Sequence, residues 1–359
     1  MAKARLLAPW VERERRSAIY HCISRIVGRE YLMGDAEREE FVRLMRLYEG
    51  FCGLRVLNFC VMSNHIHILV EVPPRMEEEL SDEGLLVRLG LIYSEDYVAQ
   101  VRGILAKLAS SDTEKGREAH AELRERFTRR MWDLGRFMKM VKQQFTNWYN
   151  ARNDRVGTLW EARYKSVLVE DGEAARVIGA YIDLNPVRAG MVKDPKDYRW
   201  CGYGEAVAGG KRGELARRGI ARVMEERENQ GDADSAYDGW AGYDTPEHYG
   251  WRSIAGRYRV ILFEDGEEVV KSDGRVARKG MRREAVETEL ARGGELGVGT
   301  LLRCKTRYFI DGGVIGCREF VSAAVRQLKG NYLSENRKSE GCQMFRGKQS
   351  LWSMRRLGG

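Results

Sequence analysis

The run Val61-Met62-Ser63-Asn64-His65-Ile66-His67-Ile68-Leu69-Val70 spends two of the chain's five histidines two residues apart. Side chains on a strand alternate faces, so His65 and His67 point one way while Ile66 and Ile68 point into the opposite layer. Two imidazoles side by side can share a metal ion. A second chemistry-bearing run is Gly179-Ala180-Tyr181-Ile182-Asp183-Leu184-Asn185-Pro186-Val187-Arg188-Ala189-Gly190. Tyr181 and Asn185 are four apart and share a helix face. Pro186 disfavours helical geometry at Asn185, so the helix is expected to end there. Asn185 would then offer an amide oxygen at a helix C-terminus, where the dipole also favours a cation. His65, His67 and Asn185 could form one site with two nitrogen ligands and one oxygen ligand, with open positions for water and a phosphate oxygen. Mg²⁺ or Mn²⁺ would fit phosphate chemistry, and zinc would fit the imidazoles. Tyr181 would lie beside the bound phosphate. The bland alternatives are a solvated edge strand for the histidines, a packing tyrosine, and an asparagine that caps a helix before proline.

The elements that must position these groups can be read from periodicity. Residues 17–26 alternate as a strand with Ile19, Cys22 and Ile23 buried. Asp35 is a suitable N-cap for a helix to about Tyr48, carrying Phe41, Val42, Leu44, Met45 and Tyr48 as its apolar stripe and ended by Gly50 and Gly53. Residues 54–62 and 65–72 read as two strands joined by Ser63-Asn64, hence an antiparallel hairpin, stopped by Pro73-Pro74. Residues 75–131 are rich in Glu, Arg and Leu at helical spacing and read as a helical insertion. Residues 137–152 form a basic helix with aromatics, 164–170 a strand and 173–184 a helix. The resulting order predicts an α+β fold, a ferredoxin-like antiparallel sheet with helices on one face, followed by a smaller C-terminal α/β region.

The expected organisation is a catalytic domain over residues 1–205, a linker over 206–250 with a helical stretch near 215–227, an accessory unit over 251–333 and a basic tail over 334–359. Within the accessory unit, Lys305-Thr306-Arg307-Tyr308-Phe309-Ile310 carries a strand signal, followed by a glycine turn and a helix from Arg318. The unit suits either DNA binding or a structural role. The chain has 359 residues, 43% of them hydrophobic, and a formal net charge of +8, which suits a polyanionic partner. No apolar run approaches the roughly 20 residues that span a bilayer, and the charged N-terminal stretch lacks a signal-peptide core. Seven cysteines stand without a CxxC pair, which fits reduced thiols in a cytoplasm. A polyanion could meet Lys139, Lys142, Gln143, Arg152, Arg155, Arg163 and Lys165, with Trp148 available to stack, and Arg188 near Tyr181. The alternative is a solvated face over core aromatics, with Phe145, Trp148 and Trp160 packed inward.

Several runs together resemble a known family. They are Tyr20-His21, Met62-Ser63-Asn64-His65-Ile66-His67, Phe145-Thr146-Asn147-Trp148-Tyr149-Asn150, Gly157-Thr158-Leu159-Trp160-Glu161-Ala162-Arg163-Tyr164-Lys165-Ser166 and the segment from Tyr181 to Gly190. The chain resembles IS200-like single-tyrosine HUH transposases, in the REP-associated tyrosine transposase branch, over residues 17–204 with the insertion interrupting. The resemblance implies that His65 and His67 hold a divalent metal, Mg²⁺ or Mn²⁺, that Tyr181 is the nucleophile, and that Asn185 occupies the third, polar ligand position, where the family often has Gln. Tyr149 is the competing tyrosine, without the Asn-Pro that follows Tyr181.

The implied reaction is transesterification on single-stranded or hairpin DNA through a 5′-phosphotyrosine. The bond energy is conserved, and no GxxxxGK nucleotide loop is present. The resemblance also implies a bacterial, cytoplasmic, nucleoid-associated protein that acts as a monomer or homodimer without a membrane. Two rivals stay open: a domesticated hairpin-DNA-binding regulator that needs no catalysis, and a zinc hydrolase that uses the histidine pair on a small substrate.

Overall fold

The computed structural model describes residues 8–75, 80–224, 250–266, 269–270, 276–278, 307–311, 313–328, 342–343 and 351–354. Strand β1 is Ala18–Arg25, helix α1 Asp35–Cys52, β2 Arg55–Val61 and β3 His65–Val72. Asp35 is the first helical residue, and Gly34 takes the cap position. Asp35 and Glu37 therefore set negative charge against the helix N-terminus, a favourable dipole contact. The helix runs through Gly50, because only Gly53 takes the left-handed conformation (φ 65°) that turns the chain out of it. The turn between β2 and β3 is closed by the Met62 N–H donating to the His65 carbonyl at 2.8 Å.

The described part of residues 75–131 is largely helical. Helices α2 (Asp82–Leu89), α3 (Glu95–Ala109) and α4 (Glu114–Thr128) begin at Ser81, Ser94 and Thr113, whose hydroxyls accept the backbone N–H three residues on. Helix α5 (Leu134–Arg152) then packs on α1 through Phe41, Phe145 and Trp160. Strand β4 (Lys165–Val169), helix α6 (Glu173–Asp183) and a four-residue helix α7 (Asn185–Arg188) follow.

The strand order β2-β3-β1-β4, with every pair antiparallel, is the ferredoxin-like arrangement. Beside the expected helical layer there is a second one. Arg46 of α1 lies over Phe59 on one face of the sheet, and Asn58, on the other face, bonds to Asp183 of α6. Coverage on both sides is why β2 is buried throughout and β3 is buried after its first residue.

Downstream of residue 204, described segments pack on the same core. Residues 206–224, expected as the start of a linker, are mostly helix: α8 (Gly202–Ala208) is followed by α9 (Gly210–Met224). Gly219 lets α9 lie directly on β2, because a Cβ there would strike the Leu57 carbonyl. Residues 225–249 of that linker lie outside the described residues. Helix α10 (Trp251–Gly266) packs against α6 and α9. Helix α11 (Arg307–Asp311) stands where a strand was expected; the strand, β5 (Val314–Gly316), follows the turn at Gly313, and α12 (Arg318–Leu328) follows it.

Strand β5 pairs in parallel with β4 (Leu168 opposite Val314). Two short strands, β6 (Cys342–Gln343) and β7 (Trp352–Ser353), then extend the sheet to seven strands in the order β2-β3-β1-β4-β5-β7-β6. The strand described within the expected accessory unit is thus part of the same sheet as β1 to β4. Most of the expected tail, together with Lys305 and Thr306, lies outside the described residues.

A buried ion cluster ties β2, β3 and α9 together. Glu71 accepts from Arg55 at 2.6 Å and from Arg222 at 2.9 Å, and Arg222 also reaches Asp171 at 2.6 Å. Burial alone would raise the Glu71 pKa, but Arg222 and Arg55 overcome it and hold the carboxyl at about 2. Its stabilising contribution is therefore present above the ordinary value of 4.5 and is lost as pH falls towards 2. Glu71→Gln removes the buried counter-charge that Arg55 and Arg222 share. It is expected to cost about 3–5 kcal/mol at pH 7 in urea unfolding. The gap to the wild type should narrow as pH is lowered through the Glu71 titration.

Candidate active site

The site is built on the sheet face that carries His65, His67, His21 and Asn58. His21 is on β1, where Ile23 pairs with His67 and His21 with Leu69, so the two imidazoles meet diagonally across the strand pair. The His65 and His67 ring centroids are 5.0 Å apart with the planes at 82°. His67 and His21 are fully buried and His65 is half-buried. His21 Nε2 lies 2.9 Å from His67 Nδ1, and His21 Nδ1 lies 2.8 Å from the Phe309 carbonyl oxygen. His65 Nδ1 lies 2.6 Å from the Asn64 amide oxygen.

Helix α6 lays Tyr181 on this pair. The Tyr181 ring is 5.7 Å from His67 and 6.0 Å from His21, edge-on to both, and 4.9 Å from Phe309 of α11. The Arg188 guanidinium sits 5.2 Å above the same ring. Tyr181 is 3% exposed, buried as deeply as many core residues. The structure thus brings His65, His67, Tyr181 and Arg188 to one place. Asn185 is held to the Tyr181 turn through its amide nitrogen, which donates to the Tyr181 and Ile182 carbonyls at 2.9 and 3.3 Å. Pro186 interrupts the helix after Asp183, as its ring requires, but helical geometry resumes at once because proline is tolerated in a first turn.

Two fully buried polar residues, Asn58 and Asp183, fasten the tyrosine helix to the sheet. Asn58 donates to the Gly179 carbonyl at 3.0 Å and to the Asp183 carboxylate at 2.7 Å. Asp183 also accepts from the Tyr258 hydroxyl at 2.7 Å and the Tyr203 N–H at 2.9 Å. Burial raises the Asp183 pKa to about 6, and the Tyr203, Tyr258 and Asn58 donors keep it from rising further. The sequence reading did not single out Asn58 or Asp183 for a role. The available signal was a lone asparagine inside the apolar strand run Val56-Leu57-Asn58-Phe59-Cys60-Val61.

The electrostatics favour neutral imidazoles and an un-ionised phenol. Burial lowers the His65 pKa to about 4, helped by Arg25. Burial lowers His67 well below the ordinary value, with His65, His21 and Arg25 adding to the effect. Burial raises the Tyr181 pKa, against the opposing pull of Arg188 and Arg25. Neutral imidazoles keep lone pairs for a cation. Asn185 spends its N–H groups on the helix end, and its carbonyl oxygen takes no part in those bonds.

Among the described residues no group of three His, Cys, Asp or Glu side chains is arranged to hold a metal. Both nitrogens of His21 are engaged, so a divalent ion here would draw on the His65 and His67 nitrogens and an oxygen donor such as Asn185. That donor set fits a divalent cation with open positions.

The expected nucleic-acid contacts separate into groups. Lys139, Lys142 and Arg163 line a groove with Arg136, Trp160 and Tyr164. Lys142 also donates to the Ala162 carbonyl at 3.0 Å and lies 5.0 Å from the centre of the Trp160 ring. Arg152 lies over Trp148 and Gln143 is exposed. Arg155 is tied to its own loop through the Thr158 carbonyl at 3.1 Å, and Lys165 pairs with Asp311 at 2.7 Å. Phe145, Trp160 and Tyr149 pack in the core, and Trp148 is partly buried against it.

Residues 15–79 match the family model for IS200-like transposases. That segment resembles an IS200-like transposase. The match contains β1 to β3, with His21, His65 and His67, and ends before Tyr181. Among solved structures, the chain matches a REP-associated tyrosine transposase bound to a REP hairpin. That likeness has 13% sequence identity and a TM-score of 0.37, covering 66% of this chain and 96% of the other. No curated protein matches the sequence.

Removing the Asn58 side chain should loosen the helix that carries Tyr181. Asn58→Ala is expected to cost about 1–3 kcal/mol in denaturant unfolding, because Asp183 loses a buried donor. Amide hydrogen exchange should quicken across residues 179–183.

Proposed function

We propose that the chain is a metal-dependent enzyme that nicks and joins single-stranded DNA, with Tyr181 as its nucleophile. The observation that carries this reading is the meeting of Tyr181 with the His65–His67 pair on one sheet face, from segments far apart in sequence. The match of residues 15–79 to IS200-like transposases points to transposase-type DNA processing in the same place. His65, His67 and Asn185 would hold Mg²⁺ or Mn²⁺, which when bound supplies charge to polarise a scissile phosphate.

In the proposed reaction the Tyr181 oxygen attacks phosphorus in line. The Tyr181 O–P bond forms as the bond from phosphorus to the 3′ oxygen breaks. The phenolic proton is lost and the departing oxygen gains one, leaving a 5′-phosphotyrosine and a free 3′-hydroxyl. Arg188, already over the Tyr181 ring, opposes the burial that raises the phenol pKa and suits a phosphate contact. The basic groove with Lys139, Lys142 and Arg163 suits the DNA backbone of a hairpin or of a single strand.

A second reading has support in the burial of Tyr181 beneath Phe309. In that reading the protein binds hairpin DNA as a regulator and its chemistry is dispensable.

The two readings separate on a denaturing gel. Hairpin-bearing oligonucleotides with Mg²⁺ or Mn²⁺ should yield a covalent protein–DNA adduct that disappears in Tyr181→Phe. The adduct should fall on the order of 10²-fold or more in His67→Ala. Binding without any adduct across metals and substrates would establish the regulator instead. An adduct that survives Tyr181→Phe would remove Tyr181 from the mechanism.

A further inference from the structure

Two hydrogen-bond chains reach the histidine pair from outside it, and each determines which ring nitrogen carries the proton. The Phe309 carbonyl oxygen can only accept, so His21 Nδ1, 2.8 Å away, must be its donor. A neutral imidazole carries one N–H, so His21 Nε2 is bare and must accept. Its partner at 2.9 Å is His67 Nδ1, which therefore donates. The lone pair of His67 is left on Nε2. On the other histidine, the Asn64 amide nitrogen donates to the Arg29 carbonyl at 3.1 Å, which aims its oxygen at His65 Nδ1, 2.6 Å away. His65 Nδ1 must donate there too, and its lone pair is left on Nε2. Both rings thus enter the site in the same tautomer.

The Phe309 carbonyl is free for this role because it lies near the end of a five-residue helix, where the last carbonyls have no partner within the helix. His21 has no exposed surface, and both of its ring nitrogens are used.

We propose that His21 is a positioning residue for the cation-binding pair: anchored on the Phe309 carbonyl, it fixes His67 in the Nδ1–H tautomer with Nε2 free to ligate. The segment around Phe309 is then part of the catalytic centre's support, although it lies far along the chain from the histidine strands. This inference rests on the reading of His65 and His67 as metal ligands. A carbonyl behind an imidazole is a common way to fix the orientation of a ligating ring, and here a second imidazole is interposed between them.

The test uses the full chain, metal-free, at pH 8, where imidazoles are neutral. Long-range ¹⁵N–¹H NMR of the histidine rings should show Nδ1–H with a bare Nε2 for both His21 and His67 in the wild type, a measurement that needs no variant. His21→Leu keeps bulk and removes the chain, and it should shift His67 towards the Nε2–H form. Mn²⁺ affinity, read from the electron paramagnetic resonance of the free ion, should weaken about 10–100-fold in His21→Leu. His21→Gln, whose amide can accept from His67 and donate to Phe309, should restore most of it.

A wild-type His67 that carries its proton on Nε2 would overturn the proposal. So would a folded His21→Leu whose His67 tautomer and Mn²⁺ affinity are unchanged. If the wild type binds no Mn²⁺, the metal reading fails, and the His67 tautomer alone decides the positioning role of His21.

Discussion

The clamp between Asn58 and Asp183 is the interaction on which the site depends. The histidines belong to a strand and the tyrosine to a helix, and a helix lying on a sheet by apolar contact alone can slide. A buried carboxylate supplied with directional donors from Asn58, Tyr258 and the Tyr203 backbone cannot slide without leaving those groups unpaired. The register of Tyr181 over His67 follows, because Tyr181 is only two residues from Asp183.

The same burial sets the chemistry of the resting site. Low exposure drives the imidazoles to their neutral forms and keeps the phenol protonated, while Arg25 and Arg188 supply positive charge nearby. Cation ligation needs neutral imidazoles, and nucleophilic attack needs the phenol to lose its proton. Burial alone therefore prepares only half of the proposed reaction. The positive groups act on the other half, since they favour phenolate and attract phosphate.

The distal part of the chain contributes to this centre. Strand β5 adds to the sheet beside β4, and the adjoining helix carries Phe309, whose ring covers Tyr181 and whose carbonyl holds His21. Tyr258 of α10 reaches the Asn58–Asp183 clamp from the same side. Composition suggested a linker and a separate accessory unit. That reading failed for α9 because glycines and charges there serve close packing on β2 and a buried ion cluster, which local composition cannot distinguish from a solvated connector.

The sequence by itself determined the alternation that puts His65 and His67 on one strand face, the order of the ferredoxin-like elements, the helical insertion and the helix break before Pro186. These are local properties, set by side-chain period, capping residues and the geometry of proline. It also held the residues of the tyrosine segment, although nothing local says that they meet the histidines. Tertiary structure alone decided that meeting, the pairing of His21 with His67, the burial of Asn58 against Asp183 and the arrival of Phe309. Each is a contact between segments far apart in the chain, whose partners are chosen by sheet order and by the need to satisfy buried polar groups. A histidine on the strand next to its partner's and an asparagine in an apolar run are present in the sequence, and only the fold supplies the groups that explain them.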